Sequence, residues 1–577
     1  MLTLNKSLSI TTAISFILII LFATLLPVSS FAQTLQSSQP NKQYSSSSIR
    51  VKLKNSNSST LLNKSNKPSV EVFGSNINNI NLLQIKPLFA EVAPETSSVT
   101  PQSIATDPEA TELSKYYEIT VPEGTDTLGF SKQLKQLPEI EEAYPSPLPA
   151  PLPVSPNFES KQLVRFPAPR GTNASFAETW PGALGENVKI IDIEDGWNSN
   201  HEDLSKARVP GARINNGTPI GDQSASATDH GTAVLGVLVG DKNTFGVTGI
   251  VPKASVGMIN AHNKYGSYNY NVSTAIVLAA KNLKAGDVIL IEQQTWGPIE
   301  GSLVPVEYIP DAYDAIKYAT SKNINVIEAA GNGNVDLDYA EYYGDRFPFN
   351  KPNSGAIMVG AGASCINAEL PLRSKLGFSN HGKRLDLQGL GDCVVTTGVG
   401  DLYSTGGINR LYTHNFAGTS SASAVVAGNV ASFVSSYKKL NGVTPKNDFV
   451  KSTFINTGTP QVSNGLEYDG NIGPLPDLSK ALLKTDLKPP SAPAKLTATI
   501  SSSNKVVLNW LASTDNVGVA NYKVICNYVQ VGTMAGNVLK YTFAGSKPKT
   551  TYNCGVIAID RSGKVSAMSN IVKVTAR

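Results

Sequence analysis

Histidine, cysteine and charge are all scarce in this sequence. Among 577 residues there are five histidines and four cysteines, and only 16% of residues are charged. A net charge of +4 spread so thinly builds no dense basic face, so no nucleic-acid partner is expected. Five histidines leave few candidates for acid–base chemistry, and no cysteine or histidine spacing resembles a zinc site. Aromatic residues are 7% of the chain against 47 glycines, a balance that suits an α/β domain with many tight loops. After the N-terminal segment no apolar run approaches the ~20 residues that a membrane span needs. The chain is too long for one core, so two or more domains are expected.

What is present begins with a targeting pattern. Lys6 gives a weakly positive start, Ile14 to Leu26 is almost purely apolar, and Ser30-Phe31-Ala32 offers small residues before Gln33. This predicts a cleaved secretory signal peptide over residues 1–32 and a secreted, extracellular protein. Cys365, Cys393, Cys526 and Cys554 fit an exported protein with two disulfides. Three pairings are open, as is a set of buried free thiols.

Residues 33–81, rich in Ser, Asn, Gln and Lys, are expected to be disordered. Residues 82–144 read as strand, strand, helix, strand. Tyr116 to Val121 alternates and is β-branched, Thr125-Asp126-Thr127 can cap a helix to about Leu137, and Ile140 to Tyr144 is a further strand. So small an α+β unit has a marginal core. Alternate prolines over 145–157 predict an extended, exposed linker open to nicking. Over 158–484, strands at Val188–Ile193, Asp287–Glu292, Ile324–Ala330 and Ala356–Gly362 alternate with helical stretches. That alternation predicts an α/β domain, a parallel sheet with helices on both faces. The unbroken apolar run Val288-Ile289-Leu290-Ile291 fits a sheet covered on both sides. A second proline linker, 485–493, leads to an all-β sandwich over 494–577.

The chemistry centres on Asn415 to Gly428. The turn Gly418-Thr419-Ser420 opens a run of Ala, Ser and Val small enough for a helix buried on all sides. A serine in the first turn of such a helix sits at the positive end of its dipole, where a nucleophile can face an anionic intermediate. The plainer reading is a buried helix with a Ser-rich start. A serine nucleophile needs a base. His230, in Asp229-His230-Gly231-Thr232 at the start of an apolar helix, is the candidate, with a purely capping role as the alternative. His201, His262, His381 and His414 have no such setting and are expected in loops or at the surface.

Together these stretches resemble the subtilisin-like serine proteases, the subtilases. Val188 to Gly196 with His201-Glu202-Asp203-Leu204 is similar to the family's acid motif, and His230-Gly231-Thr232 to its histidine motif. Phe245 to Pro252 is similar to the segment that follows. Ala329-Ala330-Gly331-Asn332 is similar to its oxyanion motif and Gly418-Thr419-Ser420-Ser421-Ala422 to its serine motif, all in the family's order. The resemblance implies a serine endopeptidase that cleaves protein or peptide substrates through an acyl-enzyme. Ser420 would be the nucleophile, His230 the base, Glu194 the orienting acid where the family has Asp, and Asn332 the oxyanion donor. It implies that 82–144 is an inhibitory propeptide; the exposed proline-rich joint places the mature start between about Pro145 and Ser160, with sites near Asn157-Phe158-Glu159 favoured over cleavage directly after a proline. It implies no cofactor; a calcium ion is compatible with it, but no loop motif locates one. Trp510, Tyr522, Tyr552 and Asp560-Arg561-Ser562-Gly563 resemble a fibronectin type III module, which implies a surface or protein partner. On that second resemblance Cys526 and Cys554 face inward on neighbouring strands and pair, leaving Cys365 for Cys393.

The departures concern the site itself. Asp195 stands where the family has Ser or Thr, Ala424 where it has Pro, and Val425 where it often has His. Glu292-Gln293-Gln294-Thr295 replaces the Ser-Leu-Gly-Gly that flanks substrate. A second reading therefore stays open, a weak or inactive subtilase scaffold serving as an extracellular binding or adhesion protein. In an extended strand Asp192 and Glu194 share a face and Asp195 takes the other. Glu194 meets the acid position without a gap, while Asp192 is the alternative or else caps a buried backbone group. Glu292 and Glu328, at the ends of neighbouring strands, either share a proton, line a pocket for a basic side chain, or point to solvent.

Overall fold

The computed structural model describes residues 44–54, 84–89, 112–148, 154–214, 225–265, 267–339, 347, 353–365, 370–463, 465 and 469–577. The predicted signal peptide, most of the predicted disordered segment and the centre of the first proline linker lie outside them. The chain divides into two compact units, Met1–Leu152 and Pro153–Arg577.

The first unit is an antiparallel four-stranded sheet with one helix. Its elements are β1 (Tyr44–Leu53), β2 (Gln84–Pro87), β3 (Tyr116–Thr120), α1 (Thr127–Leu134) and β4 (Ile140–Pro147), in sheet order β2-β3-β1-β4. Asp126 caps α1 by accepting from Gly129 N–H at 2.9 Å, as the sequence predicts. Two expectations are corrected. β1 lies inside the stretch expected to be disordered, and it is central to the sheet. Its four serines mask a strand whose Ile49, Val51 and Leu53 alternate into the core. The proline linker begins later than 145, because β4 runs through Pro147 and pairs Pro145 with Ile49.

The second unit holds a six-stranded parallel sheet. Its strands are β5 (Lys189–Glu194), β6 (Ser255–Asn260), β7 (Val288–Ile291), β8 (Asn325–Ala329), β9 (Ile357–Gly362) and β10 (Leu387–Leu390), in order β10-β9-β8-β7-β5-β6. Helices α2 (Ala225–Val239) and α5 (Gly418–Asn441) cover one face; α3 (Val272–Lys281) and α4 (Pro310–Ser321) cover the other. The apolar strand β7 is buried along its whole length, as a sheet covered on both sides requires.

α5 is buried around most of its circumference, which its small residues permit. Its serines do not go unpaired: Ser421 donates to Leu390 O at 2.9 Å, Ser432 to Ala183 O at 2.6 Å and Ser435 to Glu186 O at 2.7 Å. Buried hydroxyls without such partners would each cost on the order of 1–3 kcal/mol. Gly418 opens the helix at φ +103°, a conformation that a side chain would strain.

The last segment is a sandwich of three- and four-stranded antiparallel sheets. Trp510 and Tyr522 meet edge to face at 5.5 Å in its core. Cys526 is paired in register with Cys554 and bonded to it, with Cα atoms 4.1 Å apart. Cys365 and Cys393 form the second disulfide. The module is seated on the α/β domain through Arg561. Its guanidinium lies 5.1 Å from the centre of a Trp180 ring and donates to Thr179 O at 2.7 Å. Asp486 accepts from Ser562 Oγ at 2.7 Å and from Asn516 Nδ2 at 2.9 Å.

Candidate active site

Three strand ends and two helices meet at the carboxyl end of the parallel sheet, with His230 in the second turn of α2. Strand β5 delivers Glu194, α2 delivers His230, and Ser420 stands in the first turn of α5. Gly231 explains why a glycine follows the histidine: a Cβ there would lie 2.4 Å from Gly196 O and 2.8 Å from the Trp197 ring. The next residue, Thr232, accepts from Asn198 N–H at 2.8 Å. The loop after β5 is thereby fastened to the turn that carries His230.

His230 Nδ1 meets Glu194 Oε1 at 2.5 Å, and the other Glu194 oxygen accepts from Asp195 N–H at 2.8 Å. The ring is packed edge-on against Phe416 at 5.5 Å, with 38% of the side chain exposed. Burial pulls its pKa down, but the charge and hydrogen bond of Glu194, then Asp192 and Asp195, outweigh that and raise it to about 9. Among the described residues no hydrogen bond joins Ser420 Oγ to His230; such bonds commonly tighten only around substrate. Asn332 Oδ1 accepts from Thr419 N–H at 2.9 Å and Thr419 Oγ1 at 3.0 Å. That fixes the amide and leaves Nδ2 as its donating end.

Asp192 is fully buried and accepts from Trp197 Nε1 at 2.8 Å. It holds an indole rather than a backbone group. Burial first, then the charge of Glu194, pushes its carboxyl well above the usual range.

Glu292 and Glu328 are both buried, which corrects the expectation of solvent, and they do not share a proton. The register pairs Glu328 with Ile291, so Glu292 lies one step further and on the opposite face. Glu328 belongs to a separate cluster, where it accepts from Glu307 N–H at 2.9 Å and Glu307 holds Arg384 at 2.6 Å. Glu292 faces His230, 3.8 Å from Nδ1. Sequence reasoning put the right residue near the site beside the wrong partner.

The other histidines divide. His201 and His381 lie in loops, as expected, but buried rather than at the surface, His201 with its Nε2 2.8 Å from Leu411 O. His262 meets Asp195 at 2.6 Å beside the site, and His414 is the exposed one, paired with Asp401 at 2.8 Å. Gln294, in the segment that departs from the family, accepts from Asn332 N–H at 2.9 Å. Its contact with Asn332 had no signal in the sequence.

Among the described residues only Glu194, His230 and Glu292 bring three metal-ligating side chains within 4.8 Å of one another. The Glu194–His230 pair is hydrogen-bonded, closer than two ligands of one ion would sit. Asp203 is a buried acid of the kind a cation could use, but its oxygens already accept from Asn243 and from Val247 N–H at 2.7 Å each. Among the described residues, neither group locates the calcium that the sequence left open.

Residues 185–473 match the subtilase family, and residues 491–575 match the fibronectin type III domain. The chain is 31% identical over 266 residues to an intracellular serine protease of Paenibacillus polymyxa, covering 46% of this chain and 72% of that protein. It is 28% identical over 277 residues to subtilisin DY of Bacillus licheniformis, covering 48% and 87%. A further 89 residues are 39% identical to chitinase A1 of Niallia circulans, covering 15% of this chain and 12% of the chitinase. Among solved structures, a cold adapted subtilisin-like serine proteinase aligns with a TM-score of 0.35 and 19% identity over 50% of this chain and 88% of that one.

Proposed function

The chain belongs to the subtilase family and is a serine endopeptidase, and from that premise we propose that Ser420, His230 and Glu194 are its catalytic triad and Asn332 its oxyanion donor. The observation that carries the reading is the 2.5 Å contact of His230 Nδ1 with Glu194. It commits one ring nitrogen to the acid and leaves Nε2 for the serine.

Ser420 Oγ attacks the scissile carbonyl carbon while its proton passes to His230 Nε2. The carbonyl electron pair moves onto oxygen, where Asn332 Nδ2 and the Ser420 N–H in the first turn of α5 stabilise it. The C–N bond then breaks, the amine leaves with the proton from His230, and an acyl-enzyme remains. Water repeats the sequence and frees Ser420.

The enzyme is further proposed to be exported as a precursor, with the first unit as its propeptide. Supporting this are the N-terminal targeting pattern, a folded α+β unit ahead of the peptidase, and two disulfides, which persist in oxidising compartments. The substrates are proteins or peptides, and the C-terminal module is proposed to bind a surface or protein partner. A fluorophosphonate probe should label Ser420, and Ser420→Ala should lose about 10⁶ in turnover on casein. Casein hydrolysis by Ser420→Ala at the parent rate would overturn the assignment.

A further inference from the structure

Glu292 has no part in the mechanism above, yet it is buried beside the Glu194–His230 pair. Its side chain is 0% exposed and its Oε2 lies 3.8 Å from His230 Nδ1. No hydrogen-bond donor reaches that oxygen. The other oxygen takes only a long bond, 3.4 Å, from Ser423 Oγ, a hydroxyl that is closer to Ser420 O at 2.9 Å. An ionised carboxylate there would lack the donors that a buried charge requires.

The register explains what it meets instead. Ile193 of β5 is paired with Ile291 of β7, so the next residue on each strand, Glu194 and Glu292, stand side by side on one face. Each places a carboxylate oxygen within 4.8 Å of the other. Asp192, two residues back on β5, joins them, and Asp195 with His262 stands beside them. Three buried acids thus surround one imidazole, which as a cation can balance only one of them.

We propose that Glu292 is a positioning residue, a neutral carboxylic acid whose O–H donates to the Glu194 carboxylate and holds it against His230. The proposal rests on the triad reading. Burial first, then Asp192 and Glu194, pushes the Glu292 carboxyl well up, the direction a retained proton requires. It also makes two departures from the family explain each other. Glu194 is one methylene longer than the usual aspartate and has one more torsion to restrain, which costs entropy. Glu292, standing where the family has a small serine, supplies that restraint. Glu194 is then held from three sides: by Glu292, by Asp195 N–H and by His230.

The test compares Glu292→Gln with Glu292→Met in the full secreted chain. Gln keeps a donor toward Glu194; Met keeps the volume and loses the donor. The expected result is a kcat within about threefold of the parent for Gln, and a fall of about 10²-fold for Met with KM little changed, the scale of a misplaced catalytic group. The acid limb of the kcat/KM–pH profile should stay within about 0.5 unit in Glu292→Gln, because no charge is removed. A Met variant as active as the parent, a Gln variant as damaged as Met, or a limb lowered by about a unit or more in Gln would each overturn the proposal. Should Glu292→Met fail to fold, the infrared spectrum decides: a protonated-carboxyl stretch present in the parent and lost in Glu292→Gln supports the proposal, and its absence from the parent overturns it. Failure of Ser420 to take the fluorophosphonate probe would sink the triad reading instead, and leaves the infrared band as an independent measurement.

Discussion

A glutamate that grips imidazole through one oxygen can be replaced by glutamine without changing the space it fills. Glu194→Gln is therefore expected to keep the fold and lower turnover about 10⁴-fold, because the amide no longer stabilises the imidazolium. Asp192→Asn should cost far less, since Asp192 spends its bond on the Trp197 indole. Both are measured on one peptide substrate; a crippled Asp192→Asn beside a near-normal Glu194→Gln would reverse the assignment. The raised pKa of His230, about 9, fixes the pH dependence. Below that value the ring already holds a proton and cannot take one from Ser420, so kcat/KM should rise with pH along a limb near pH 9. Stability runs the other way. The ring's contribution is fully present below its ordinary value of 6.5 and is lost as pH rises through about 9. A kcat/KM profile already flat from pH 7 would contradict this. Alternation along β5 was enough to place Glu194 and Asp192 together, because it needs only one strand. The partner of Glu292 needed the register between strands, and a single sequence carries no register.

At the scale of elements, the small-residue pattern of α5 was legible, and its glycine shows what that pattern protects. A Cβ added at Gly428 would lie 2.9 Å from Ile250 Cβ and Cδ1. Alanine in a helix interior gains about 1 kcal/mol over glycine, whereas overpacking a core commonly costs about 1–3 kcal/mol. With Ile250 buried and little room to move, the clash should win. Gly428→Ala is expected to destabilise the peptidase domain by about 1 kcal/mol net, read by chemical denaturation. A stabilised variant would show that Ile250 can retreat. β1 was illegible for the opposite reason. Its apolar residues are only Ile49, Val51 and Leu53 behind a run of serines, and its partners β3 and β4 lie far along the chain. Composition reports what a segment is made of, and pairing across such separations decided what it became.

At the scale of the whole molecule, the structure moves the expected maturation point. Cleavage near Asn157-Phe158-Glu159 now looks into fastened backbone. Gly246 N–H donates to Pro156 O at 2.8 Å, Phe158 N–H donates to Gly246 O at 2.7 Å, and Arg410 reaches Ser155 Oγ at 2.9 Å. Leu148, 45% exposed, and Val154, 75% exposed, flank the stretch between. The mature N-terminus is therefore expected between residues 148 and 154, the stretch bounded by these two exposed side chains. N-terminal sequencing of the active enzyme checks this; a start beyond Phe158 would refute it.

The seat of the C-terminal module has a consequence for an enzyme whose chemistry is expected to be released by alkali. Arginine keeps its charge at any pH a protein survives, and the Arg561 partners are an indole ring, a carbonyl and a hydroxyl. Although burial pushes Asp486 up, hydrogen bonds from Ser562 and Asn516 hold it below its ordinary range. Arg561 and its partners therefore carry no titrating part between neutral and alkaline conditions. Raising the pH turns the blade on without turning the handle: with the module anchored, the bonds within the enzyme's reach are the same ones before and after it becomes active.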